Sequence, residues 1–132
     1  MNETTLTKTL SGYLIDTEIG ISGPVTTEME LEAYYQLLHC DLITITYLPI
    51  NGKEYCIIAD DEGLFKRNNK ISAADIHDLK PLLVGSLLIT SAEDPDDTGD
   101  FCSLSDDDIC SIRERVIDVI HPDGTYPLVL IG

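Results

Sequence analysis

The chain has 132 residues and is 43% hydrophobic, which suits one domain (residues 1–132) with a core of its own and argues against disorder. Eight basic residues against 24 acidic ones leave a formal net charge of −16, which speaks against direct binding to a nucleic-acid backbone or an anionic membrane. Met1 to Lys8 is polar without an apolar h-region, and no apolar run nears the roughly 18 residues of a membrane span, so a cytoplasmic protein is expected.

Leu10 to Asp16 reads as a short strand, with Tyr13 and Ile15 on one face and Leu14 on the other. Gly20, Gly23 and Pro24 mark a loop. A first helix follows, with Thr27 and Glu30 as a capping box and Leu31, Tyr34, Tyr35 and Leu38 as its buried face, ending near His39 and Cys40. Asp41 to Leu48 is a strand in which Ile43, Ile45 and Tyr47 alternate with Thr44 and Thr46. Asn51-Gly52 supplies a tight hairpin turn. Lys53 to Ala59 returns with apolar residues on both faces, as an inner strand does.

Leu64 to Lys80 looks irregular, with Lys66, Arg67 and Lys70 clustered in it. Leu82 to Thr90 is the next strand, and Gly85 inside it indicates a bulge or a close backbone approach. From Glu93 to Asp108 there are eight acidic residues and no basic one, half of the net charge. The last helix starts at Ser105, with Asp106, Asp107 and Asp108 in its first turn, a Ser105–Asp108 capping-box variant and a Leu104–Ile109 staple. Its apolar stripe is Ile109, Ile112, Val116 and Ile120. The tail, 119–132, adds an edge strand over Tyr126 to Ile131, because Pro127 disfavours a central place. The expected fold is α+β: a mainly antiparallel sheet of four to five strands with two helices packed on it.

Several segments, in order, are distinctive: Leu31-Glu32-Ala33-Tyr34-Tyr35-Gln36-Leu37-Leu38, then Gly52-Lys53-Glu54-Tyr55, then Lys70-Ile71-Ser72-Ala73, Leu83-Val84-Gly85-Ser86-Leu87 and Ser103-Leu104-Ser105-Asp106-Asp107-Asp108-Ile109. In these the chain resembles, over about residues 10–118, a bacterial family catalogued as domain of unknown function 3846. The resemblance implies a small protein of Firmicutes, phages and mobile elements. It carries no activity and no functional residues with it.

Candidate chemistry is sparse. Asp60, Asp61 and Glu62 stand at a strand end, and Tyr55 on the same strand would join them if they line a small-ligand or metal site. Asp94, Asp96, Thr98 and Gly99 fall on a calcium-loop frame, but Ser105 takes the place of its bidentate Glu and Pro95 interrupts it. Asp94, Asp96, Asp97 and Asp100 make an acidic loop that no capping rule requires. The four cysteines, Cys40, Cys56, Cys102 and Cys110, are expected as reduced, buried thiols. No His or Cys has zinc-site spacing, and no metal or cofactor is expected.

Two functional readings follow. The first is an acidic interaction or accessory protein of a mobile element that binds a basic host protein surface, a DNA mimic being its sharpest form. The second is a small-ligand or metal-binding module with its site near the strand-end acids.

Overall fold

The strand Thr9–Asp16 (β1) divides its side chains between two apolar clusters, Tyr13 and Ile15 in one and Leu10 and Leu14 in the other. Successive strand residues point to opposite faces, so β1 lies between two cores. The computed structural model describes residues 8–62, 70–94 and 99–132. After β1 come β2 (Ile21–Glu28), α1 (Leu31–Leu38), β3 (Ile43–Ile50), β4 (Lys53–Asp60) and β5 (Ile71–Asp75). Then follow β6 (Pro81–Val84), β7 (Leu87–Ser91), α2 (Asp106–Arg113), β8 (Val116–His121) and β9 (Gly124–Ile131). The fold is α+β and mainly antiparallel, with the strands shared between two sheets. One has the order β2-β1-β7-β4-β3, the other β6-β5-β9-β8, in which β5 and β9 pair in parallel.

The layers follow from the central strands. Ile57, Ile58, Leu87, Leu88 and Ile89 are fully buried, so β4 and β7 are apolar on both faces, and β4 is the inner strand its sequence predicts. On one face Tyr34 and Leu38 of α1 pack against Leu10, Leu14, Ile58 and Leu88. On the other, Ala73, Val129 and Ile131 of the second sheet and Ile112 of α2 pack against Tyr13, Ile15, Ile57 and Ile89. Positive φ angles at Asn51 (53°) and Gly52 (84°) make the expected tight turn between β3 and β4.

Several local expectations are corrected. Gly23 and Pro24 lie within β2, which pairs with β1 along its whole length. β2 is an edge strand, where a missing N–H on the outer side is tolerated. Thr27 therefore belongs to a strand, and α1 begins at Glu30 with no side-chain cap. Burial of Tyr34 and Leu38, with His39 in a left-handed closing conformation, holds that helix instead. The stretch read as irregular contains β5, whose small buried residues Ser72, Ala73 and Ala74 leave little periodic signal.

The run Leu82 to Thr90 is two strands. Gly85, at φ 91°, breaks it so that β6 joins the second sheet and β7 the first. The last helix stops at Arg113. Val116 and Ile120 have helical spacing but lie on β8, where Ile120 is 90% exposed. The β-branched run Val116, Ile117, Val119 and Ile120 favours the strand. The tail strand β9 is inner rather than edge. Its parallel pairing with β5 begins at Val129, beyond Pro127, so the proline costs no bond on that side. Cys40 and Cys56 are buried as expected, whereas Cys102 is half-buried and Cys110 is exposed on α2.

Gly12 marks the tightest approach in the first sheet. A Cβ there would lie 2.7 Å from the Ile89 carbonyl oxygen and 2.9 Å from a Leu88 methyl. The backbone oxygen cannot swing aside, so Gly12→Ala is expected to destabilise the protein by about 1–3 kcal/mol. Urea denaturation checks this, and an unchanged midpoint would refute the packing account.

Candidate functional site

α1 has eight residues and is therefore about 12 Å long. Five strands at about 4.8 Å spacing make a sheet roughly 20 Å across. α1 packs over β1, β7 and β4 and reaches Ile43 at the start of β3, and the rest of that face of β3 is left open. Cross-strand register sets Ile45 opposite Ile58 and Tyr47 opposite Cys56, so both side chains stand on the helix-side face. There Ile45 is 47% and Tyr47 56% exposed.

These two residues form one wall of a groove of about 200 Å³. Ala92 and Phe101 form the other, and Glu93, Asp94 and Asp100 stand at its rim. The Phe101 ring meets Tyr34 edge-to-face, with centroids 5.6 Å apart, which ties this wall to α1. The acidic loop is held at both ends. Ser91 N–H donates to the Cys102 carbonyl at 2.9 Å, and Gly99 N–H donates to Asp94 Oδ2 at 2.8 Å. Asp100 pairs with Lys8 at 3.3 Å and Glu93 with Lys53 at 3.2 Å. Both pairs are exposed, where an ion pair is worth little and exchanges readily for another cation. The Cys56 thiol, and behind it Glu54, push the Tyr47 phenol above its ordinary value, so it stays a neutral O–H group.

The residues singled out in the sequence separate. Asp60 is buried at the end of β4 and accepts a bond from Glu62 N–H at 2.9 Å, which closes the turn. Asp61 is exposed and Glu62 half-buried. Tyr55 sits five residues back on β4, roughly 16 Å along the strand. It is fully buried and donates to Asp108 Oδ1 at 3.0 Å. The strand-end acids and Tyr55 are thus not brought together. Asp94 and Asp100 reach the groove, while Asp96 and Asp97 lie outside the described residues, as do Pro95, Thr98, Lys66 and Arg67. Ser105 caps α2 by accepting from Asp108 N–H at 3.1 Å, which removes it from any calcium frame. Among the described residues no group of three or more His, Cys, Asp or Glu is placed to hold a metal ion.

Sequence reasoning missed the groove, because Ile45 and Tyr47 look like ordinary buried strand residues until the coverage of the sheet is known. It also missed what two buried carboxylates hold together. Asp16, at the end of β1, accepts from Glu18 N–H at 3.0 Å, Ile19 N–H at 3.1 Å and the Ser86 hydroxyl at 3.3 Å. Its Oδ2 lies 2.9 Å from His39 Nε2, which pins the end of α1 to the first hairpin. No local signal marks residues 23 positions apart. Asp108, the other, is read correctly as the capping residue of α2, but it does more. It accepts from Lys53 Nζ at 2.8 Å, Tyr55 OH at 3.0 Å and Ser105 N–H at 3.0 Å. Burial pushes its carboxyl up, but the bonds from Lys53, Ser105 and Tyr55 outweigh that and bring it from 3.8 to about 2. Burial and the same bond push the Tyr55 phenol up to about 12, and the bonds to Asp108 and Glu93 raise Lys53.

Comparison with known proteins agrees with the resemblance in the sequence. The family model described as "Domain of unknown function (DUF3846)" matches residues 11–117. No curated protein and no solved structure matches the chain. Among the described residues no helix is long and apolar enough to cross a membrane.

Because the Asp108 carboxyl is lowered on folding, its charge stabilises the fold fully above the ordinary value of 3.8, and that contribution is lost as pH falls toward about 2. Asp108→Asn is expected to cost about 2 kcal/mol at neutral pH, with the gap to wild type closing across that acid window. Denaturant unfolding at several pH values checks it. A gap that persists undiminished at the acid end would show that the charge is not the cause.

Proposed function

We propose that this chain, which belongs to the DUF3846 family, is a protein-binding accessory module that takes a basic protein segment on the open corner of its first sheet. The observation that carries this reading is the uncovered pair Ile45 and Tyr47 beside a rim of carboxylates. Apolar side chains left in water next to fixed like charges suit a partner that brings apolar and cationic groups together. The net charge of −16 adds a long-range attraction for such a partner and repels nucleic acid and anionic lipid. In the finer form of the reading, the chain is an accessory factor of a bacterial mobile element and its partner a basic host protein. A DNA-binding surface is one basic surface of this kind. The alternative, a ligand or metal site at the strand-end acids, has less support, since Asp60 is committed to its turn and Tyr55 to Asp108.

The test is affinity capture from a bacterial lysate with wild type and with the double variant Ile45→Ala, Tyr47→Ala. Both side chains are half in water, so the variant is expected to stay folded. Basic proteins retained by wild type at low salt should be lost from the variant and released from wild type as salt screens the rim. An identical captured set from the two proteins would sink the reading.

A further inference from the structure

We infer that the partner segment binds as an added strand along the free edge of β3. This deepens the proposed function and rests on it. β3 is the last strand of the first sheet, so one side of its backbone has no neighbouring strand. The Pro49 carbonyl accepts from Gly132 N–H at 2.7 Å, so Pro49 turns its backbone away from β4. Backbone direction alternates along an antiparallel strand, so Ile43, Ile45 and Tyr47 turn theirs outward too. The tight Asn51-Gly52 turn agrees, because it closes on the bonded pair Ile50 and Lys53. Among the described residues, the backbone groups of Ile43, Ile45 and Tyr47 make no hydrogen bond outside the sheet. Each can therefore offer an incoming strand one donor and one acceptor.

Residues 43–50 also lack the usual protection of an edge strand. The sequence Ile-Thr-Ile-Thr-Tyr-Leu-Pro-Ile has no charged side chain, and its Pro49 sits at the end already met by Gly132. The outward-turned residues Ile45 and Tyr47 are the ones whose side chains line the groove. A strand paired with them would lay alternate side chains over the same face. Arg or Lys there can pack its stem on Ile45 and Tyr47 and carry its charge to Glu54 or Glu93. A second copy of this chain is disfavoured as occupant, because two chains of charge −16 would bring the same acidic rims together.

The probe is a short fluorescent peptide of alternating valine and arginine, compared with its fully N-methylated counterpart, which keeps the charge and side chains but cannot pair as a strand. Wild type is expected to bind the first at least roughly tenfold tighter by fluorescence anisotropy. With the first peptide bound, the amides of Ile43, Ile45 and Tyr47 should gain protection from hydrogen exchange, while those of Thr44 and Thr46, bonded to β4, stay protected throughout. Ile45→Pro removes an outward N–H together with the Ile45 side chain, so it is read against Ile45→Ala, which keeps the N–H: both should leave the β3–β4 ladder intact, and only the proline should abolish the difference between the peptides. The exchange measurement on wild type decides the matter should that variant fail to fold. Equal binding of the two peptides overturns strand addition and leaves attraction by charge standing. Binding of neither at low salt overturns both readings.

Discussion

Three strands at the centre of the first sheet, β1, β7 and β4, carry apolar side chains on both faces, and both faces have to be kept from water. The rest of the molecule answers to that requirement. The second sheet and α2 cover one face, and α1 covers the other. The second covering is incomplete, because the α1-side cluster ends at Ile43 and leaves Ile45 and Tyr47 of β3 exposed. The open corner at β3 is what remains. Its apolar character follows from the same strand chemistry that makes the centre stable, and its exposure follows from the reach of the cluster under α1.

The acidity divides in the same way. In the first turn of α2 the negative charges complement the helix dipole, and Asp108 gathers Lys53, Tyr55 and the Ser105 backbone around one buried carboxylate. That charge belongs to stability. It fastens α2 to β4 by bonds a neutral side chain would not keep as strongly. Glu93, Asp94 and Asp100 differ. They stand at the groove, the ion pairs that Glu93 and Asp100 make are exposed, and the helix does not use them. The part of the acidity that gathers at the groove is therefore smaller than the net charge alone implies.

Legibility in the sequence varied with the range of the signal. The β3–β4 hairpin, the inner character of β4, and the Ser105–Asp108 cap with its Leu104 and Ile109 partners were legible because each depends on residues a few positions apart. β5 was not, because Ser72, Ala73 and Ala74 are small and carry no strong period. Val116 and Ile120 satisfy a helical spacing and a strand composition together, and pairing with β9 decides for the strand. At Gly85 one apolar run serves two sheets, and only the second sheet's position explains the break. Of the site, Asp94 and Asp100 were legible as charge that no helix cap requires, while the bond from Gly99 N–H to Asp94 was not. Ile45 and Tyr47 were not, since exposure is a property of what fails to cover them.

By itself the sequence determined the α+β class, most of the strands of the first sheet, the capped start of α2 and the family, because turns, caps and periodicities are local and act whatever surrounds them. Tertiary structure alone decided that Tyr55 is a buried partner of Asp108, that Asp16 holds His39, and that β3 is an edge with one face open. Strand order and helix coverage depend on contacts between residues far apart in the chain. No window of sequence contains both sides of such a contact, so burial at those positions is settled only when the layers meet.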